Sequence, residues 1–285
     1  MPSLIGLRRR IRSAKNIAQI TKAMEMVSAA KMRKSQEQAL STKPFSQKLE
    51  SVLQRIAASS GKVSHSLFRQ ESSSGNAMLI IISTDKGLCG PLNINLFRAV
   101  AEWSETVNYK NLEIVHVRKR AKTTLRKGTA ELTAAFHEIS ETPTFQESRA
   151  ISRLAMDTFE SGKVDAVYVA YSDFVSTLVS NPQVKKLLPV EPAELLGTTS
   201  SEYIFEPSTN DLISELVPYT VEMNFYQTLV DASASEHSSR MVAMKSASDN
   251  AHDLIGSLTL DYNQARQSQV TTELLDATTA RMTVE

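Results

Sequence analysis

The sequence predicts a mixed α/β protein, with a long antiparallel coiled coil of the N- and C-terminal helices and a central Rossmann-like α/β domain. Three observations carry that reading. From Leu4 to about Ile56 the chain holds a single proline, Pro44, and a single glycine, Gly6. From Pro218 to the end there is no further proline, and Gly256 is the only glycine. Between these stretches short β-branched runs alternate with helical ones, the pattern of a mainly parallel sheet. The expected boundaries are 1–58 for the N-terminal helix, 77–190 for the α/β domain and 208–285 for the C-terminal helix.

The N-terminal helix follows from apolar spacing. Leu4, Leu7, Ile11, Ala14 and Ala18 recur at steps of 3 and 4 and mark one helix face. Ile17, Ile20, Met24 and Val27 form a second set, so the contacted face is expected to rotate along the helix. Beyond the basic run Lys31–Lys34, the residues Phe45, Leu49, Val52 and Ile56 resume the pattern, and Pro44 is expected to kink or interrupt it. A helix of ~50 residues would be ~75 Å long, more than a small domain buries.

In the middle, Met78–Ile82 reads as a buried strand followed by the turn Ser83-Thr-Asp-Lys-Gly-Leu-Cys-Gly90. Pro91 suits the first turn of a helix, which runs to about Val107. Leu112–Val117 is a second strand, followed by a basic segment from Arg118 to Lys127. Glu147–Ser161 reads as a helix closed by Gly162, and Asp165–Tyr171 as a third strand. Val175–Val179 and Val184–Val190 are expected to be a further strand pair, so that 173–189 adds an antiparallel edge. Residues 59–76 and 191–210 are the linkers into and out of the domain.

The C-terminal helix carries the clearest repeat. Positions 230, 234, 237, 241, 244, 248, 251, 255, 258, 262 and 265 alternate steps of 4 and 3, the 3.5-residue period of a coiled coil. They are rich in Ala, Ser and Met, which lets the helices approach closely. His237 is expected to be a polar, register-setting residue in that seam. After Ala265 the phase drifts to Val270, Leu274 and Ala277, so the tip is expected to leave its partner helix.

Charge separates the two ends. Formal net charge is +1 over 285 residues, but residues 1–50 hold eleven Lys/Arg against three Asp/Glu, and residues 206–285 four against twelve. The ends are expected to lie against each other, leaving basic surface for an acidic protein partner. Nucleic acid fits less well, because no aromatic set accompanies the cations to stack bases. The single cysteine, Cys89, cannot form an internal disulfide, which points to a reducing compartment. No apolar run approaches the ~20 residues that span a bilayer. No apolar signal core follows Arg8–Arg10.

No catalytic constellation is visible. The turn at 83–90 follows a strand and precedes a helix, a place for an anion, yet it has neither P-loop nor Gly-x-Gly-x-x-Gly spacing. Its simpler reading is a tight turn with glycines at positive φ. Cys89 has no base that the sequence places beside it, since the histidines at 65, 116, 137, 237 and 252 are scattered. It reads as a structural thiol. No His/Cys/Asp/Glu cluster has metal spacing, so no cofactor or metal is expected.

Four blocks carry a resemblance. Ile20–Val27 with Lys31–Lys34, the loop Asp85–Gly90 with Asn93, Glu236–Lys245 with Asp249–Ala251, and Asn263–Gln267 with Val270–Glu273 are similar to the gamma subunit of the F-type rotary ATP synthase. The blocks occur in order and cover essentially the whole chain. The resemblance implies a central shaft: two terminal helices inside a ring of alternating alpha and beta subunits, and an α/β domain at the membrane c-ring beside the epsilon subunit. ATP chemistry then belongs to beta, and this chain has no catalytic residues of its own. It further implies that Lys22 and Met24 lie near an acidic loop of beta, with Arg240 and Met244 on the facing helix. Arg266, Gln267, Thr271 and Glu273 lie where the upper shaft contacts beta. Lys86 stands where Arg is commoner, and Pro91 where Gly is commoner. The ending Asp276–Glu285 departs from the usual Gly-Ala-rich tip, and the cysteine-bearing insertion of chloroplast members is absent. The implied location is the cytoplasmic face of a bacterial inner membrane, with the matrix side of a mitochondrial inner membrane as the alternative. Two other classes fit the residues: a coiled-coil adaptor without a rotary role, and an enzyme using the turn at 83–90 on a phosphorylated substrate.

Overall fold

The computed structural model describes residues 3–59, 65–68, 75–107, 109–120, 131–190 and 209–282. The expected linkers, the basic segment beyond Arg120 and the last three residues of the tip lie largely outside the described residues. The order of elements is α1 (Leu4–Ser59), a 3-10 turn (Ser66–Phe68), β1 (Asn76–Ile82), α2 (Leu92–Thr106), β2 (Asn111–Val117), β3 (Glu131–Phe136), α3 (Phe145–Glu160), β4 (Ala166–Phe174), β5 (Ser180–Leu188) and α4 (Thr209–Met282). The chain forms two compact units, Ala29–Ser239 and Met1–Ser28 with Arg240–Glu285.

The larger unit is built on a five-stranded sheet of order β3-β2-β1-β4-β5. β1 pairs in parallel with β2 and β4, β2 with β3, and only β5 runs antiparallel, against β4. Alternation along the strands supplies two cores. Met78, Ile80, Val115, Val117, Val167 and Val169 face α3, through Ile151, Ala155 and Phe159. Leu53 and Ile56 of α1, and Ile213, Val217, Phe225 and Leu229 of α4, belong to the same core. Leu79, Ile81, Ile114 and Ala170 face the other way, onto Leu96 and Val100 of α2. Both sheet faces are therefore covered, which is why β1 reads as an unbroken apolar run.

Several boundaries move. α3 starts at Phe145, because Thr144 and Glu147 form a reciprocal capping box ahead of it. Val175–Val179 is not a strand but the turn between β4 and β5, where the Val175 and Ser176 N–H groups donate to Val179 O. β5 runs through Asn181-Pro182; an edge strand tolerates the missing donor. β3 escapes the sequence reading because Glu-Leu-Thr-Ala-Ala-Phe is poor in β-branched residues and sits at the opposite edge. Pro44 does not end α1, and α4 begins nine residues ahead of Pro218. The carbonyl that Pro44 leaves without a donor belongs to Leu40, an exposed residue that water can satisfy.

Within the larger unit α1 and α4 pair through small and polar side chains. Ala39 and Leu49 pack on Met223, Tyr226 and Val230. Gln38 Nε2 donates to Tyr226 Oη at 2.6 Å and Thr42 Oγ1 to Gln227 Oε1 at 2.6 Å. Gln38 meets Tyr226 and, two turns on, Phe45 meets Tyr219 edge-on with ring centroids 6.3 Å apart, so rising numbers on α1 meet falling numbers on α4 and the pair is antiparallel.

In the smaller unit the α4 seam falls as expected. Met244, Ser248, Ala251 and Leu258 are buried, and Met241, Ile255, Tyr262 and Ala265 half-buried, while the residues between them are mostly exposed. From Val270 to Thr279 α4 is exposed. Arg8 meets Tyr262 across the pair, its Nη2 donating to the hydroxyl at 2.7 Å.

The α1 seam does not rotate as expected. Leu7, Ala14, Ala18 and Ser28 are buried, with Leu4, Ile11, Thr21 and Glu25 half-buried between them. The 3.5-residue period continues without a shift because small hydroxylic residues occupy seam positions; Thr21 Oγ1 donates a hydrogen bond to Ile17 O at 2.9 Å. Three of the four residues of the apolar second set are therefore turned outward, with Ile17 53%, Ile20 60% and Val27 54% exposed, while Met24 is half-buried. Beyond it Phe45 is also exposed, while Leu49 and Ile56 are buried.

This register predicts opposite responses at neighbouring residues. Ala18→Leu overpacks a closed seam and should lower stability by ~1–3 kcal/mol, whereas Ile17→Ser should cost under ~1 kcal/mol. Thermal denaturation followed by helical circular dichroism compares the two, and the reverse order would contradict the register.

Candidate partner-contact surface

The eight residues that the sequence analysis singled out all lie in the smaller unit. Six of them are available to a partner. Lys22 is exposed, and its ammonium reaches Glu25 of the next turn at 3.1 Å. Met24 is half-buried beside the outward row of Ile17, Ile20 and Val27. Arg266, Gln267, Thr271 and Glu273 are exposed on the C-terminal part of α4. Thr271 Oγ1 is tied to Gln267 O at 2.9 Å, and Gln269 Nε2 donates to Glu273 Oε1 at 2.8 Å.

Arg240 and Met244 are different. They are 6% and 5% exposed, so they face inward and are not surface in the free chain. Met244 is a seam residue, as its place in the 3.5-residue series requires. The sequence reading named Arg240 and Met244 as partner contacts alongside the six others, and it missed a sharper signal. Ile17, Ile20, Met26 and Val27 are exposed apolar side chains flanked by Lys15 and Lys22, a surface that water alone does not favour.

The turn at 83–90 is a structural element whose polar groups are largely used internally. Asn93 accepts from the Thr84 N–H at 3.3 Å and donates to Thr84 Oγ1 at 2.7 Å, and Thr84 Oγ1 donates to Lys86 O at 2.9 Å. Leu88 and Gly90 take positive φ, of 62° and 59°. Cys89 is buried, with Asn93 Nδ2 at 3.7 Å and Thr84 Oγ1 at 3.9 Å, neither of them a general base. Asp85 of the loop accepts from the Lys119 N–H at 3.3 Å. Burial pushes that carboxyl above its usual range, Glu236 adds to this, and Arg118 opposes it. Among the described residues no group of three or more His, Cys, Asp or Glu side chains is placed to hold a metal.

Two titratable residues in the larger unit respond to pH in opposite senses. Hydrogen bonds from Lys31 and Lys86 hold the Glu141 carboxyl down to about 2. Its contribution to stability is present above the ordinary value of 4.5 and is lost as pH falls toward about 2. Burial raises Asp231 of α4 to about 6; Asp173 adds to the shift, while the Gln227 hydrogen bond and Lys43 oppose it. The fold favours protonated Asp231, so its contribution is complete below the ordinary value of 3.8 and is lost as pH rises through about 6.

Long antiparallel terminal helices, a mainly parallel α/β domain inserted between them in sequence, and an outward apolar and cationic row define a coiled-coil subunit with a surface suited to a protein partner. Comparisons with known proteins give the family. A family model described as ATP synthase matches residues 3–281. The chain is 41% identical over 278 residues to the ATP synthase gamma chain of Dehalococcoides mccartyi (strain CBDB1), covering 97% of each. It is 43% identical over 276 residues to that of Pelotomaculum thermopropionicum, covering 96% of each. Among solved structures, a chain of the Euglena gracilis mitochondrial ATP synthase (OSCP/F1/c-ring) is similar in fold with a TM-score of 0.71 at 18% identity, over 99% of this chain and 94% of that one. A chain of the Tetrahymena thermophila mitochondrial ATP synthase central stalk/c-ring has a TM-score of 0.61 at 23% identity, over 80% of this chain and 99% of that one. The chain belongs to the ATP synthase gamma-chain family.

The Asp231 environment gives a test of the larger unit's electrostatics. The stability of Asp231→Asn relative to the unchanged chain should rise between about pH 4 and about pH 7, because the substitution removes a buried carboxyl that must ionise. Thermal melts across that range measure it, and a pH-independent difference would contradict the assignment.

Proposed function

We propose that the chain is the central rotary shaft of a proton-translocating ATP synthase. It couples ion flow through a membrane c-ring to conformational cycling of the catalytic beta subunits. The observation that carries this is the end-to-end match with gamma chains, over 97% of this chain and 97% of the relative. The helix pair supports it, since small seam residues keep such a pair slender and leave an outward apolar and cationic row for a surrounding partner.

In this reading residues 1–58 and 208–285 supply the shaft, and 77–190 the domain that meets the c-ring and the epsilon subunit. The alpha and beta subunits form the hexamer around the helices. The chain itself is non-catalytic, a part of a proton-transporting two-sector ATPase. Lys22, Met24, Arg266, Gln267, Thr271 and Glu273 touch beta, while Arg240 and Met244 act from within by holding the register of α4. The complex sits on the cytoplasmic face of a bacterial inner membrane, to which this chain is peripheral. That fits the absence, among the described residues, of any helix long and apolar enough to cross a membrane.

Native mass spectrometry of complexes isolated through a tag on this chain tests the assignment. Three alpha and three beta subunits per copy is the expected result, and recovery with unrelated partners would sink it. Met24→Lys puts a cation on the partner-facing row against an acidic loop of beta. It should lower proton pumping per ATP hydrolysed while leaving assembly and helix content unchanged. An undiminished pumping ratio would remove Met24 from the contact set.

A further inference from the structure

Arg118 follows β2 in the left-handed conformation, with φ 69°, and its side chain is 1% exposed. That backbone is unfavourable for a non-glycine residue, and it comes with a backbone bond from Arg118 N–H to Phe136 O at 2.7 Å. Its guanidinium joins three segments of the larger unit. Nη1 donates to Glu236 Oε2 on α4 at 2.6 Å. Nη2 donates to Ser233 Oγ, one turn earlier on α4, at 2.7 Å, and to Ser140 O at 3.2 Å. Nε lies 3.8 Å from Asp85 Oδ2.

A second charge centre is built from the neighbours of these residues. Glu141, beside Ser140, bridges Lys31 of α1 and Lys86, which follows Asp85. The Lys86 bond is 2.6 Å. His237, beside Glu236, places Nε2 3.4 Å from Glu141 O, and Ser238 Oγ donates to Thr177 O at 2.5 Å. Both helices are thus tied to the loops at the C-terminal ends of the parallel strands. Apolar packing is non-directional and lets a helix turn on its neighbours. The charge-assisted bond between Arg118 and Glu236 is buried on both sides and fixes both distance and angle, whereas Glu141 and its two lysines are partly exposed and add a second tie at the surface.

We propose that these two centres form a torsional clasp. Arg118, Glu236, Asp85 and Glu141 are positioning residues for coupling, holding the sheet at one angle to α1 and α4 so that twist applied to the α/β domain enters the helices without slip. The clasp rests on the shaft reading above.

The test uses the complete synthase in membrane vesicles. It compares Glu236→Gln, Glu141→Gln and the apolar pair Arg118→Met with Glu236→Leu. The pair removes both charges together, a change that often leaves stability intact. ATP hydrolysis should stay near that of the unchanged complex. Proton uptake against an existing gradient should fall severalfold, and the torsional stiffness of single immobilised complexes should drop. Glu141→Asp, which keeps the carboxylate, should recover part of both. Unchanged stiffness and uptake in the apolar pair would overturn the clasp. So would equal loss of hydrolysis and uptake in Glu141→Gln and Glu141→Asp alike, since that marks a merely structural role. If the apolar pair fails to assemble, the two Glu141 variants decide the question. Failure of the unchanged chain to copurify with a hexamer would instead remove the shaft reading on which the clasp rests.

Discussion

The contact between Arg118 and Glu236 constrains much of the larger unit. Two ions taken out of water must find each other and must have their remaining hydrogen-bonding capacity met, or the desolvation penalty is not recovered. Here it is met in part, by Ser233 on the same helix and by Ser140 O, while Nε makes no hydrogen bond among the described residues and has only the Asp85 carboxylate 3.8 Å away. That requirement fixes where α4 crosses the sheet and how it is rotated, because Ser233 and Glu236 share one helix face and only one rotation of α4 turns that face to Arg118. It also gives a reason for the left-handed backbone at Arg118 and for the closed turn at 83–90. α3 is secured to α4 in a related way, with Glu222 buried between Arg149 and Arg153 at 3.1 and 3.5 Å.

A second constraint acts where the helices pair. A seam of Ala, Ser and Thr brings backbones close, but it contributes little apolar area per turn. Stability must then come from continuity of the repeat and from hydroxyls that bond back to their own helix, as Thr21 and Thr42 do. The same economy frees the larger side chains, Ile17, Ile20 and Val27, to point outward. Slender packing inside and adhesive surface outside are two consequences of one choice of residues, and both suit a helix pair that works within a ring of partners.

What could be read from the sequence follows from where apolar character coincides with burial. The α4 seam was legible because Met, Ala, Ile and Leu mark it. The α1 seam was misread past Ala18 because hydrophobicity pointed to Ile17, Ile20 and Val27, whereas close approach selected Thr21 and Ser28. β1, β2 and β4 announce themselves as β-branched runs; β3 does not, being Ala-rich at an edge. Of the contact surface, the exposed members could be named from motif resemblance, but the inward turn of Arg240 and Met244 needed the helix phase. The paired charges were invisible for a different reason. Arg118 looked like the start of a solvated basic run, and its partner lies 118 residues away. No local pattern announces such a pairing, although Glu236 among Ala and Ser in a buried helix was a signal that could have been followed.

The central claim is that this chain turns as a shaft against a fixed hexamer. Ile94 on α2 is 62% exposed, whereas the single cysteine, Cys89, is buried, so Ile94→Cys would take a thiol-linked optical probe selectively. With the hexamer anchored to a surface and ATP supplied, the account predicts rotation of the probe in one direction, in steps of about 120° set by the threefold repeat of the ring. A probe that stays still while ATP is hydrolysed would contradict it.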